Sequence, residues 1–398
     1  MPLSTSSDAA APPRRGRAIG LAAIVASVFI STLTLAILTP LLAMRLAAEG
    51  ISGSWIGANA AAGSAGIFLV SLWTPWLGRK LGSFAALMLS ILVMAIGVGL
   101  LPIFHSLAGW FVLRFLVGAG IAVHWVISEV WINTAAEESD RGMVIGLYVA
   151  ALSLAYCVGY PLLLAIGTDG NLPLIVVTVT IVTAGIPILL ARRLVPSLSQ
   201  GAPGGAGRAI RRQPTIMGAA LLAGFAMALV LSFFVIYAER TGMTERTALI
   251  VLSTVAVGNV VLQVPIGMLA DRFGADRLLT TLAALALVGL ALMPFLEPMG
   301  RARWPFLFLW GGSLGGFYTL SLTLLGRRFP ADELAGANAA FVISYEIGGL
   351  LGAVAGGLGL DLWNPHGVPL ALGLAYGLFI LGSLIARRSR RRTAMAEA

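Results

Sequence analysis

LRFLVGAGIAVHWVISEVWINTAAEESDRGMVIGLY, residues 113–148, decides the fold. A long apolar run carries Arg114, His124 and Glu129. It breaks at a charged turn around Asp140 and Arg141, and a second apolar run follows at once. An ionisable side chain at lipid depth costs about 2.5–3.5 kcal/mol on insertion scales and persists where it lines a cavity or meets a partner. The stretch reads as part of a polar path through a membrane protein.

The rest of the chain agrees. Of 398 residues, 58% are hydrophobic and 11% charged, whereas a soluble domain carries about 25% charged residues. Ordinary solubility is excluded. Cys157 is the single cysteine, so no intrachain disulfide can form, and it reads as a small buried hydrophobe. The net charge of +9 lies in loops beside apolar runs and therefore reports membrane orientation. No basic face with interleaved aromatics appears, which argues against a nucleic-acid partner. The apolar run after the polar N-terminus is too long for a signal-peptide core, and it reads as a retained first span.

About 20 apolar residues suffice to cross a bilayer. Twelve such runs are found, over 19–44, 55–77, 84–104, 107–135, 143–166, 172–190, 214–238, 247–270, 278–296, 304–325, 334–360 and 368–386. A Gly/Ser/Pro/Arg segment separates the sixth from the seventh. The expected organisation is a cytoplasmic tail (1–18), a six-helix bundle (19–191), a linker (192–213), a second bundle (214–386) and a basic tail (387–398). With the N-terminus inside, twenty Lys and Arg fall on the cytoplasmic side, five outside and Arg114 within a span. That bias orients both termini to the cytoplasm.

The halves echo each other. Gly118 precedes Gly142 by 24 residues, as Gly312 precedes Gly336, and each pair brackets an even-numbered span. Pro75 leads into Arg79-Lys80-Leu81-Gly82, and Pro265 into Asp271-Arg272-Phe273-Gly274. The turn GMLADRFGADR, from Gly267 to Arg277, resembles the loop motif G-x-x-x-D-R-x-G-R-R of the major facilitator superfamily. LRFLVGAG, residues 113–120, resembles that family's R-x-x-x-G-x-G element. Glu129-x-Trp131, Arg141-Gly142 and Tyr148 are spaced as in a narrower group of YcaD-like bacterial proteins. The resemblance implies twelve transmembrane helices in two pseudo-symmetric six-helix bundles, all α, with a substrate site between them. It also implies a gating role for Gly267, Asp271, Arg272 and Gly274, with Gly267 allowing close helix approach and Asp271 meeting a nearby Arg. Arg114 would face the cavity and take part in proton coupling, or else brace spans one and four. Arg79 stands where the loop motif of the first half wants Asp, which puts that half's charge relay in doubt.

The residues themselves propose the site. Glu129 follows Arg114 by 15 residues, which at 3.6 residues per turn leaves them about 60° apart and about 22 Å along the axis. Both can face one cavity at different depths. Trp125, Glu129 and Asn133 share a helix face. A carboxyl there can carry a proton, or can pair with a cytoplasmic arginine such as Arg141. His124 lies about 140° from Glu129 and reads as a packed, hydrogen-bonded histidine. Glu346, beside Tyr345, sits in mid-span. The expected proton-coupling or cavity residues are Arg114, Glu129, Glu346, Asn133, Tyr148 and Tyr345. The expected substrate-cavity residues are Asn59, Trp125, Tyr156, Tyr237, Asn259, Gln263, Trp310 and Tyr318.

Lys80 is the only lysine and no P-loop pattern occurs, so ATP-driven transport by this chain alone is excluded. No metal-ligand or nucleophile–base pattern is present, and no enzyme activity, catalytic residue, cofactor or metal is expected. The expected function is secondary transport of a small amphipathic solute by alternating access, as proton-coupled export. The chain would act as a monomer in a bacterial inner membrane, with the lipid bilayer, the solute and H+ as partners. Uptake by proton symport is the alternative within transport. A sensor or assembly protein that kept the fold is the alternative outside it.

Overall fold

A computed structural model describes residues 14–104, 106–135, 141–196 and 206–396. The N-terminal tail to residue 13, the charged turn over 136–140 and residues 197–205 of the linker lie outside the described residues, as do the side chains of Arg141 and Gly142. The first half contains α1 (Arg14–Ala48), α2 (Gly53–Leu81), α3 (Ser83–Gly99), α4 (Leu107–Ala135), α5 (Arg141–Ile166), α6 (Leu172–Thr183) and α7 (Gly185–Leu190). A short linker helix, α8 (Ala206–Arg212), leads into the second half. That half contains α9 (Pro214–Arg240), α10 (Glu245–Phe273), α11 (Ala275–Leu292), α12 (Arg303–Arg328), α13 (Ala331–Leu362) and α14 (Gly367–Ala396). Among the described residues there is no strand.

Among the described residues eleven stretches are long and apolar enough to cross a membrane, and Ser83–Gly99 is a shorter apolar helix. The third expected span is that short one: its helix stops at Gly99 and the chain continues as a turn. The sixth, expected as one run, is broken between α6 and α7 at Ala184. The cause is local. Pro187 has no N–H to offer the carbonyl of Thr183, and Ser27 Oγ on α1 donates to the Ala184 carbonyl at 2.8 Å. The last helix does not stop at 386 but runs on through the basic segment to Ala396.

Within the first half, α4 packs on α2 and α3, and α1 on α5. Within the second, α9 packs on α13, α12 on α10, and α11 on α12 and α14. In lipid, small residues let helix backbones approach closely. A Cβ on Gly118 would collide with the Gly63 carbonyl of α2, and one on Gly311 of α12 with the Val255 carbonyl of α10. The echo partner of Gly118, Gly312, meets the Leu262 side chain instead, so the close backbone approach in the second half falls one residue earlier.

The halves meet through α2 against α13, α5 against α10 and α1 against α9. The first contact is tightest at the end where α2 begins and α13 finishes, where a Cβ on Gly357 would strike the Gly53 carbonyl. Ser52, the residue before α2, makes no side-chain cap. Asp361 supplies one from the other half, its carboxylate accepting from Gly53 N–H at 2.6 Å, Ser54 N–H at 2.8 Å and the Ser54 hydroxyl. A carboxylate at a helix N-terminus satisfies orphan amides and complements the positive end of the dipole. At the same end, the Thr168 hydroxyl donates to Glu245 across the α5–α10 boundary at 2.7 Å. The two halves are tied together here.

Candidate functional site

Between the halves lies a cavity of about 230 Å³. α4 contributes Trp125 and Glu129, α5 Tyr148 and Tyr156, α10 Asn259 and Gln263, α12 Tyr318, and α13 Tyr345 and Glu346. The remaining walls are largely apolar, among them Leu152, Met227, Leu231, Leu252 and Phe341. Few convergent polar groups on an apolar lining is the usual make-up of a small-molecule site.

Each polar group is held by its element. Trp125 and Glu129 are one turn apart on α4 and so project to one side. Asn133, a further turn on, is exposed and donates to the Glu129 carbonyl at 2.8 Å. It does not line the cavity. Tyr318 is clamped edge-on between Phe341, at 5.4 Å, and Tyr345, at 5.6 Å between ring centroids. Gln263 donates to Asn259 Oδ1 at 3.0 Å, which leaves the Asn259 amide N–H groups and the Gln263 carbonyl as recognition groups.

Two carboxyls share this space. Glu346 is buried, whereas Glu129 keeps accessible surface. Neither has an ion-pair partner among the described residues. At Glu346 a buried carboxylate without a counter-charge is costly, and uptake of a proton or approach of a cationic group relieves that cost.

Arg114 lies apart, nearer the tied end. It borders a second, smaller cavity of about 90 Å³. Trp125, Tyr156, Tyr345 and Glu346 line both cavities, so the two are adjacent. Arg114 also reaches Thr39 of α1 through long contacts of 3.3 and 3.5 Å. His124 is fully buried, with Nε2 3.2 Å from Ser27 Oγ, a packing position between α1 and α4.

Several expected cavity residues sit elsewhere. Asn59 is buried in α2 and lines neither cavity. Tyr237 is fully buried and stacks on Phe234 at 6.0 Å, while Trp310 stacks on the same ring at 5.2 Å and donates to the Ala286 carbonyl. Both are core residues of the second half. The helix turns that place them there have no mark in the sequence, because an aromatic beside a cavity and one in the core look alike.

The loop after α10 holds the expected charges. Arg327 of α12 pairs with Asp271 at 2.5 Å, and Arg328 with Asp276 at 2.5 Å. Arg272 lies over the Phe273 ring at 5.4 Å, and Gly274 has φ +85° at the turn into α11. Gly267 differs from expectation: a Cβ there would meet nothing within 4 Å. It faces open space, and the close α10–α12 approach is made further along at Gly258 and Gly311. At the same end, Arg212 of the linker helix pairs with Glu333 of α13.

The family model of the Major Facilitator Superfamily matches residues 24–353 and 216–396. The chain belongs to that superfamily. It is 25% identical over 334 residues to an uncharacterized MFS-type transporter, YcaD, of Escherichia fergusonii, covering 83% of this chain and 86% of the relative. It is likewise 25% identical over 336 residues to the YcaD protein of Salmonella enteritidis, with the same coverage. Among solved structures, the nucleoside transporter NupG matches with a TM-score of 0.72 over 92% of this chain and 96% of that one, at 13% identity. A D-xylose-proton symporter matches with a TM-score of 0.71 over 92% and 96%, at 17% identity. These likenesses establish the fold. The protein is a multi-pass membrane transporter of some solute, in contact with the lipid bilayer.

Proposed function

We propose that the protein exports a small amphipathic organic solute in exchange for protons, as a monomer in the inner membrane of a bacterium with both termini cytoplasmic. The observation that carries this reading is the pair of Glu129 and Glu346, two carboxyls without counter-charge among the described residues, facing one aromatic-lined cavity between the halves. A site that must accept a proton and an organic solute in turn needs titratable groups beside an apolar surface, with no permanent ion pair to silence them.

The excess of arginine in the loops at the Arg79 end supports a cytoplasmic position for that end. On that orientation Asp361, Gly53, Thr168 and Glu245 close the outer face, and the accessible Glu129 lies toward the cytoplasm. The conformation is then inward-facing, and alternating access requires the outer contacts to part while the cytoplasmic ends approach. Arg327–Asp271 and Arg328–Asp276 brace the cytoplasmic end of the second half, where the other gate would form.

Flux in proteoliposomes tests the reading, using whichever amphipathic solute most raises the melting temperature of the purified protein. A pH gradient is expected to accelerate efflux, and Glu129→Gln and Glu346→Gln are each expected to remove most of the acceleration. Equal rates with and without the gradient would eliminate proton coupling. Gradient-driven accumulation in the direction of proton entry would replace export by uptake symport.

A further inference from the structure

The smaller cavity has an unusual set of unfilled donors. Arg114 is 5% exposed, and among the described residues no carboxylate pairs with it. Among the described residues its terminal nitrogens reach only Thr39 Oγ1, at 3.3 and 3.5 Å, longer than an ordinary N–H···O bond. Its Nε has no acceptor. Trp125 Nε1 and Ser232 Oγ, on the same lining, also lack partners. Buried donors almost always find acceptors, and removing the partner of a buried charge is strongly destabilising. Three such groups around one space of about 90 Å³ mark a place where an acceptor belongs.

The walls limit the direction from which it can come. Gly63 of α2 lies against the guanidinium, so that a Cβ there would stand 3.6 Å from Nε. α1 covers another side at Thr39. The cavity is the opening left to a ligand.

We propose that this cavity is an anion subsite in which Arg114 grips the carboxylate head of an amphipathic solute whose apolar body occupies the larger, aromatic-lined cavity. The inference rests on the transport reading above and names the substrate class for it. The planar guanidinium matches a carboxylate with two parallel hydrogen bonds. With Glu346 protonated, the single cation of Arg114 balances a monoanion and leaves a phosphate dianion under-neutralised. The volume holds a head group, well below the roughly 300–1,000 Å³ of a pocket for a whole drug-sized molecule. Because Trp125, Tyr156 and Glu346 border both cavities, one molecule can span them.

The test compares 3-phenylpropionate with its uncharged amide by calorimetric titration of the purified full-length protein in detergent at neutral pH. Because the amide cannot accept the charge-assisted fork, the acid is expected to bind at least about tenfold more tightly than the amide. Arg114→Gln should bring the two within about threefold, and Arg114→Lys, which keeps the charge and loses the fork, should retain part of the preference. Equal affinities for the wild type, no binding of either compound, or an acid preference that survives Arg114→Gln would each overturn the subsite. The wild-type comparison decides the matter even if Arg114→Gln folds poorly. Acid-selective binding without flux in proteoliposomes would keep the subsite and remove the transport reading. Equal flux of acid and amide would do the reverse.

Discussion

Asp361 carries the clearest cross-half chemistry of any single residue. Its carboxylate takes two backbone N–H groups and a hydroxyl at the start of α2, and hydrogen bonds to a charged group contribute about 1.5–3 kcal/mol. Asp361→Asn keeps the size and loses the charge. It is expected to loosen the closure at this end, seen as faster labelling of a cysteine placed at Ser54 by an impermeant thiol reagent; unchanged labelling would deny the latch. Glu129 and Arg114 were legible in the sequence because a charge in an apolar run has few innocent explanations. Asp361 was not, since an acidic residue at a helix end is ordinary and its partner lies 308 residues away. Ser232 and Thr39 were equally silent, as hydroxyls in a membrane helix usually bond their own backbone.

Helix pairs show the same division. Gly118 was recognised from its place in the R-x-x-x-G-x-G pattern, and the fold gives the reason: its α-carbon faces the Gly63 carbonyl. Gly118→Val forces backbones apart and is expected to lower stability by about 1–3 kcal/mol, measured as a lower melting temperature. Gly267→Ala, by contrast, adds a methyl where nothing lies within 4 Å and should leave the melting temperature unchanged. The ion pair of Arg327 and Asp271, both of them exposed, contributes about 0–1 kcal/mol to stability at most. Arg327→Gln should therefore leave folding intact, and any effect on flux would come from the gate. The break between α6 and α7 was hidden although Pro187 stood in view, because a proline inside a membrane span often bends a helix without ending it. Here Ser27 completes the interruption by taking the Ala184 carbonyl.

At the level of the whole molecule, two bundles tied at one end and separated by a cavity must rock about that tie to expose the site to the other side. Ser54 and Asp361 touch across the halves, so cysteines placed at both, in a Cys157→Ser background, are the pair to cross-link. Oxidation is expected to abolish flux and reductant to restore it, in proteoliposomes assayed before and after treatment; undiminished flux from a fully cross-linked sample would mean that this end does not open. The same cross-link should leave ligand binding from the other end intact, which separates a locked gate from a damaged site.

The number of spans, their order, the internal echo and the charged residues at membrane depth came from the sequence by itself. The reason is physical: lipid forces backbone hydrogen bonds to close within each helix, so length, hydropathy and loop charge specify topology with little help from distant contacts. The tertiary structure alone decided which of those side chains meet. It set Glu129 and Glu346 in one cavity and Arg114 in another, buried Tyr237 and Trp310 in the core, and joined Asp361 to Gly53. Those outcomes depend on how helices rotate and cross. That is fixed by side-chain packing and by close approaches such as Gly118 to Gly63, which no periodicity along the chain records.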